Sequence, residues 1–512
     1  VPKPKNVFDI NDVPWQLRPL LKEFEDIFPD ELPHGLPPSR KVGTGQDMHI
    51  EVQNGTQPQW RAAYKTSPGD AKIMQAQIEE LLAQGRIRPS TSPWSAGTIL
   101  VGKKDADGVK TGDRMCGDYR PLNSHTVPDR SPLPKMEELM MQLKGAKYFF
   151  KMDLQSGYHQ IRLDEKSIPL TAFTTPTGHY EWLVVPFGVR NAPPVFQRMM
   201  QDILGDLLNA GVVVYLDDIL GYAATMDELV VLCRKVFTLL RTHKLYAKMS
   251  KCIFGVEEAQ FLGYKVNGQG VRTDESKVSA VQNWPQPKTV SDVRSFLGLT
   301  GFYQKFVKGY AGLAGPLTDL LRGRDGDKMA AVVWTDREQQ AFTALKNALT
   351  TAPVLATPDP DLKYHIYTDA CGYGVGASLC QVHPDGLRPV AFRSRKLTPA
   401  ECNLWTHEQE LLAIVDAVKC WTPYIGGLDI VWHTDHEALI WLAKQPKLSK
   451  KQASWLRTLC EYPIELKYIP GPQNEAADAL SRLQIIERTV AKMPQTTGGL
   501  CHRIHTLEKQ SR

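Results

Sequence analysis

The sequence predicts a multidomain protein of mixed α+β and α/β class. Three observations predict it. The chain has 512 residues with 42% hydrophobic content, enough for three or four separate cores. A strand-turn-strand pattern carries two adjacent carboxylates, Asp217 and Asp218, at its tip. Beyond residue 360 a second alternation of strand and helix patterns carries four more acids.

The elements follow in order. Up to about residue 45 the chain is proline-rich around one amphipathic stretch, Leu17 to Phe28, whose Leu20, Leu21, Phe24 and Ile27 make a helical stripe that should pack on the next domain. A helix is expected from Ala71 to Gln84. Strands follow from Gly97 to Lys104 and from Arg114 to Tyr119, joined by the polar loop Asp105 to Asp113. An apolar strand ends at Asp153, before a turn at Ser156-Gly157. A single strand is expected from Phe261 to Val266. Helical patterns with proline-containing breaks cover Asp274 to Trp284, Thr289 to Tyr303 and Ala311 to Leu321. Val290, Val293, Phe296, Leu297 and Leu299 form the apolar face of the second. After a tether or vestigial connection at 329–360, Tyr364 to Asp369 alternates as a strand, Ala377 to Gln381 returns, and a helix carries Glu410, with Thr406 as its cap and Gln409 closing a capping box. Leu428 to Thr434 is a further strand ending before Asp435, and Asp478 lies near the start of a last helix.

The acids carry the chemistry. Val212-Val213-Val214 and Ile219-Leu220 flank Tyr215-Leu216-Asp217-Asp218, yet the Asn-Gly or Asp-Gly expected at a tight hairpin is missing. Two like charges in a partly desolvated turn repel unless a proton or a divalent cation neutralises them. Asp153 supplies a third carboxylate, and such a trio suits two hard-oxygen metal sites for phosphoryl transfer. The later set, Asp369 on a strand, Glu410 on a helix, Asp435 on a strand and Asp478 on a helix, can meet only through a fold.

Six ordered blocks then carry a resemblance: Arg114-Met-Cys-Gly-Asp-Tyr-Arg120-Pro-Leu-Asn123, Asp153-Leu-Gln-Ser-Gly-Tyr158-His-Gln-Ile161, Ala172 to Glu181, Pro186-Phe187-Gly188-Val-Arg-Asn191-Ala192-Pro193, Tyr215 to Asp218, and Phe261-Leu262-Gly263-Tyr264. Together they resemble the reverse transcriptases of gypsy-type LTR retrotransposons, closest in pattern to the chromodomain-bearing branch. The later acids resemble, in order, the RNase H family. The resemblance implies a right-hand polymerase of fingers, palm and thumb, followed by an RNase H-like mixed sheet with flanking helices. The implied division is fingers and palm at 46–265, thumb at 266–328, RNase H at 361–485 and a linker tail at 486–512.

It further implies an RNA-directed DNA polymerase with fused RNase H, using two Mg²⁺ ions per active site, with Mn²⁺ as an alternative. The ions would be held by Asp153, Leu154, Asp217 and Asp218 in one site and by Asp369, Glu410, Asp435 and Asp478 in the other. Lys103, Lys104 and Arg114 would meet the incoming triphosphate and Arg120 the template or the fingers. Tyr158 would act as a steric gate against the 2′-hydroxyl, beside Phe187. Phe261, Leu262, Gly263 and Tyr264 would form the primer grip. Implied partners are an RNA template, a DNA primer, the RNA/DNA hybrid, dNTPs and a second copy of the chain in a homodimer, with no membrane.

Composition adds less. A net charge of +5 is weak evidence for a nucleic-acid partner. Arg294, Lys305, Lys308, Lys447, Lys450, Lys451 and Arg457 are candidate phosphate contacts or solvated faces. Nine scattered cysteines without a Cys-x-x-Cys pair fit reduced thiols inside a cell, and the resemblance implies a cytoplasmic virus-like particle or the nucleus. No apolar run is long enough to span a bilayer and no signal peptide opens the chain. The opening Val1 suggests a piece of a polyprotein whose protease and integrase lie elsewhere.

His433 and His436 lack further zinc ligands and are expected to pack locally. Ile469 to Gln473 lacks the histidine that retroviral and cellular RNase H enzymes carry before their last Asp, so cleavage is expected to be slow in product release or loose. Gly117, Leu170 and Gly221 depart from the family pattern. Glycine in a strand is expected to leave a void and weaken the palm, which raises the alternative of a silent nucleic-acid-binding scaffold from a decaying element.

Overall fold

In the computed structural model, residues 8–40, 47–104, 110–324, 328–371, 374–437, 439 and 448–470 are described. The chain divides into two compact units, Val1–Lys135 with Gly145–Phe261, and Met136–Lys144 with Leu262–Arg512.

The first unit holds two sheets. One runs in the order Ile87–Pro89, Gly178–Trp182, Phe173–Thr175, Ala96–Lys104, Lys110–Gly117. The other runs Val212–Tyr215, Asp218–Ala223, Tyr148–Asp153, Ile253–Val256. Phe149, Phe150 and Met152 are sealed on Tyr148–Asp153, an inner strand of the second sheet, as are Ile219 on the strand beside it and Val212 on the edge strand beyond. That near-continuous apolar run is what a strand covered on both faces needs. The Met226–Thr242 helix lies across this sheet, started by a capping box between Thr225 and Glu228 and buried through Leu229, Cys233, Val236 and Phe237. The lead-in stretch is shorter than its stripe suggests, an Arg18–Glu23 helix followed by a 3₁₀ turn at Glu25–Ile27. Its four stripe residues are all buried, with Phe24 edge-on to Phe237.

In the second unit, helices Glu275–Gln282, Val290–Phe302 and Tyr310–Asp319 fall where the periodicity places them. Of the two alternatives for 329–360, a plain tether does not fit, because the segment contains a further helix, Asp336–Thr350. A five-stranded mixed sheet follows in the order Gly386–Lys396, Gly374–His383, Tyr364–Cys371, Ile430–Thr434, Ile464–Tyr468. Its first three strands are antiparallel and its last two join in parallel. The Thr406–Ile425 helix buries Leu411, Ile414, Val415 and Val418 in a core with Tyr364, Ile366 and Trp432. Among the described residues no helix is long and apolar enough to cross a membrane.

Three sequence expectations need correction. The expected strand Phe261 to Val266 is two strands, Glu258–Phe261 and Tyr264–Asn267, because Leu262 and Gly263 both take positive φ (49° and 80°) and turn the chain. Thr406 does not cap its helix. The helix starts there, the cap is Trp405, and the Glu408 carboxylate, not Gln409, accepts the Trp405 backbone N–H at 3.4 Å. The two departing glycines leave no void. A Cβ on Gly117 would stand 2.7 Å from the Tyr119 ring, and one on Gly221 would stand 2.0 Å from the Phe150 ring. The neighbouring aromatic fills each space.

Candidate active sites

The first site is built by strand register. In the antiparallel sheet Asp153 lies opposite Asp218 and Asp218 opposite Tyr215, so the loop between the paired strands is only Leu216-Asp217. A two-residue hairpin needs positive φ, and Leu216 supplies it at 55°. A non-glycine residue held there costs roughly 1–3 kcal/mol and persists only when its surroundings fix it. The fixing group is Gln197, 2% exposed on the Ala192–Leu204 helix. Its Oε1 accepts the Leu216 N–H at 2.7 Å and its Nε2 donates to Val214 O at 3.2 Å. The Leu154 N–H also donates to Asp217 O at 3.1 Å, tying the hairpin tip to the end of the neighbouring strand.

The charges at this tip are unbalanced. Desolvation raises the Asp217 carboxyl above its usual range, and the nearby charges of Asp153 and Asp218 raise it further. Two lysines that sequence reasoning missed answer the other two acids. Lys151 Nζ meets Asp218 Oδ1 at 3.1 Å, and Lys251 Nζ meets Asp153 at 3.0 and 3.1 Å. Lys151 sits two residues before Asp153 on the same strand, a period-2 signal that could have found it. Lys251, 98 residues away, and Gln197 gave none.

Around the trio, Tyr158 stands edge-on to Phe187 (5.3 Å, 81°) and to Phe196 (5.5 Å, 78°). Burial and then the Asp217 charge push its hydroxyl up to about 12. Gly157 lets the chain pass close, since a Cβ there would stand 3.0 Å from Phe196 and 3.3 Å from Asp217 Cβ. The Arg114 guanidinium lies 4.7 Å over the Phe187 ring, which links the two residues named for substrate contact. Lys103 and Lys104 lie at the end of the Ala96–Lys104 strand, paired with Gly112 and Lys110. Arg120 forks the Asp118 carboxylate with two bonds of 2.7 Å, so its guanidinium is engaged within its own turn. Phe261 and Tyr264 were expected in a substrate contact but are 0% and 3% exposed, which leaves them no surface for a strand. Only Leu262 and Gly263 of that block are part-exposed.

The second site lies in the mixed sheet. Asp369 is exposed near the end of Tyr364–Cys371, and Asp435 is half-buried directly after Ile430–Thr434, the parallel neighbour of that strand. Glu410, 4% exposed, reaches toward them from the helix and accepts the Ala370 N–H at 3.1 Å through Oε1. Burial first, then the charges of Asp369 and Asp435, push its carboxyl up to about 8. Asp478 lies outside the described residues. His433 packs, as expected, stacked on Tyr367 at 4.4 Å and 7° and bonded to His365 at 3.0 Å. Of the candidate cations, Lys305 stands 4.0 Å over the Tyr264 ring and Lys451 5.0 Å over Trp455.

Both sets fit a hard cation. Oxygen-only donors with excess negative charge are Mg²⁺ chemistry, and Glu410 Oε2 is buried with no hydrogen-bond partner. Among the described residues no group of three His, Cys, Asp or Glu side chains is closed enough to hold an ion as it stands.

Comparison with known proteins finds related sequences along most of the chain. The family described as "Reverse transcriptase (RNA-dependent DNA polymerase)" matches residues 101–266, and the "RNase H-like domain found in reverse transcriptase" matches 334–431. The Retrovirus-related Pol polyprotein from transposon 297 of Drosophila melanogaster is 38% identical over 92% of this chain and 43% of its own length. The chain is similar to the reverse transcriptase and RNase H region of LTR-retrotransposon Pol polyproteins. The Pol polyprotein from transposon gypsy of the same fly is 35% identical over 87% of this chain and 43% of its own length. The Transposon Tf2-3 polyprotein of Schizosaccharomyces pombe is 33% identical over 91% of this chain and 34% of its own length. The chain thus spans less than half of these relatives.

Foamy viral protease-reverse transcriptase shares the fold. Its complex with double-stranded DNA has a TM-score of 0.77 at 23% identity, covering 90% of this chain and 80% of that one. Its complex with RNA/DNA hybrid also has a TM-score of 0.77, at 22% identity, covering 95% and 64%. The architecture is therefore a right-hand polymerase with an RNase H-like domain.

Proposed function

We propose that this chain is an RNA-directed DNA polymerase with a fused RNase H, copying element RNA into DNA and cutting the RNA strand of the hybrid it makes. The observation that carries the reading is the strand register that sets Asp153, Asp217 and Asp218 at one tip, with the Asp217 carboxyl raised by burial and then by the charges of Asp153 and Asp218.

At this tip a primer 3′-hydroxyl would displace pyrophosphate from a dNTP; at Asp369, Glu410 and Asp435, water would attack an RNA phosphodiester. Two Mg²⁺ ions per site, when bound, would neutralise the phosphates and make the attacking hydroxyl or water more acidic. Asp153, Asp217, Asp218 and the Leu154 backbone carbonyl would hold one pair, and Asp369, Glu410, Asp435 and Asp478 the other. The residues around the first site then orient the substrate. Tyr158, wedged between Phe187 and Phe196, presents its ring where a 2′-hydroxyl would clash. Arg114, stacked on Phe187, with Lys103 and Lys104, meets the triphosphate.

The test is extension of a DNA primer on an RNA template with Mg²⁺ and dNTPs, run beside cleavage of a preformed hybrid. Asp217→Asn should lower extension on the order of 10³-fold or more with cleavage retained, and Glu410→Gln should do the reverse. Hybrid binding without extension or cleavage by the unmutated chain would replace this reading with that of a silent scaffold.

A further inference from the structure

Between Asp30 and Arg40 the lead-in runs without helix or strand, yet it is stitched to one short turn of the same unit. That turn is the 3₁₀ segment Gly157–Gln160, which carries Tyr158. Arg40 donates through Nη1 to Gln160 O. Arg86 donates to His159 O at 3.3 Å and to Pro33 O at 2.9 Å, bridging turn and lead-in. Just before the turn, Gln155 Nε2 donates to Asp30 O at 2.8 Å. Two successive carbonyls of the turn thus each meet a guanidinium.

A single 3₁₀ turn does not hold itself. Its bonds are few, and the carbonyls at its end need partners from elsewhere. Ser156 enters it at φ 48°, a conformation that persists in a non-glycine residue only where neighbours fix it. Gln160, 2% exposed, supplies part of the fixing: its Nε2 donates to Gln155 O and Tyr246 O at 2.8 Å each, and its Oε1 accepts the Tyr246 N–H at 2.9 Å. Arg40 also donates to His243 O and Lys244 O, at the end of the Met226–Thr242 helix, where the dipole favours a cation. Arg86 is 3% exposed and its Nε has no partner among the described residues. Packing alone would favour an apolar side chain there, because a buried guanidinium gives up its hydration.

We propose that Arg40 and Arg86 are positioning residues for nucleotide selection: through Gln160 O and His159 O they fix the turn that holds Tyr158, which makes the proline-rich lead-in a working part of the polymerase site. The inference rests on the polymerase reading for the role of Tyr158 and goes beyond it in giving the two arginines a part in discrimination. A filter that works by shape is only as sharp as its wall is fixed. Phe187 and Phe196 hold the Tyr158 ring, and the arginines hold the backbone beneath it.

The test uses the full chain and two readouts. Amide hydrogen exchange, read by mass spectrometry over residues 155–161, needs no catalysis. Arg40→Met and Arg86→Met keep the stem and remove the donors. Each should speed exchange of the His159 and Ile161 amides, which donate to Ser156 O and Tyr158 O, with the Val212–Tyr215 strand unchanged. The change should be roughly tenfold, the scale of one charge-assisted hydrogen bond. The second readout is the ratio of kcat/KM for a dNTP to that for the matching rNTP, in which any loss of folded enzyme cancels. This ratio should fall roughly three- to tenfold in both variants, and no further when either is combined with Tyr158→Ala. Arg40→Lys and Arg86→Lys keep the cation without the fork and should lie between. If the Met variants lose protection throughout the unit, the Lys variants decide by the same readouts. Unchanged exchange overturns the proposal, and so does faster exchange with an unchanged ratio or a further fall in the Tyr158→Ala background. An unchanged ratio in Tyr158→Ala itself removes the gate and the role of the arginines in selection with it. If the unmutated chain extends nothing, the polymerase reading fails, and exchange still decides whether the arginines hold the turn.

Discussion

At the residue scale, the glycines that depart from the family pattern show how a sequence can mislead. Gly221 reads as a missing apolar side chain in a strand and so as a weakness. In the folded chain Phe150 of the neighbouring strand occupies its place, 2.0 Å from where a Cβ would stand, and Gly117 is crowded in the same way by Tyr119. Interiors are packed closely enough that one added carbon must displace something. Gly221→Ala is therefore expected to destabilise the chain by about 1–3 kcal/mol, and Gly117→Val to destabilise it as well, both read from denaturant midpoints. An unchanged or raised midpoint for either variant would restore the decay interpretation. The carboxylates were legible as single residues because charge at the end of an apolar strand demands a partner. The lysines that meet two of them were not, since a lone lysine carries no such demand.

At the element scale, the hairpin at Tyr215–Asp218 depends on a helix. Leu216 holds φ 55° because both polar ends of the Gln197 amide are used on the hairpin backbone. Gln197→Leu keeps the bulk and removes both bonds, leaving a backbone N–H without its partner, a loss worth roughly 1–3 kcal/mol. Extension should fall much further than hybrid cleavage in this variant, because the misplaced group is the tip that carries Asp217. Equal losses in the two activities would assign Gln197 to general stability instead. Helices with clear apolar periodicity were read nearly to the residue, as with Val290–Phe302, whose Thr289 and Asp292 form a capping box. Starts governed by longer side chains were not. At Thr406–Ile425, Glu408 reaches back to Trp405, a residue with no capping preference of its own, and the start moves by one.

At the scale of the molecule, each unit carries a histidine held neutral inside its fold. In the first, burial and then the charges of Arg86 and Arg114 push His159 down to about 3, and its Nε2 is sealed without a partner between Trp182 and Phe187. In the second, His433 is likewise pushed down to about 3. The unfolded chain takes up a proton below about 6.5, whereas the folded chain refuses it until about 3. Stability from these groups is thus complete above about 6.5 and is lost as pH falls toward 3. The melting temperature should drop between pH 7 and pH 5, and His159→Gln should narrow that gap; a gap of unchanged size would remove His159 as a cause.

By itself the sequence singled out the candidate acids and, Asp478 aside, the elements that carry them, because strand alternation, helix period and the cost of burying charge are local constraints. Only the tertiary structure decided that Gln197, Lys151 and Lys251 meet the first site. It likewise decided that Phe150 fills the space above Gly221. These are contacts between segments distant in sequence, and no local rule can fix them before the chain has closed on itself.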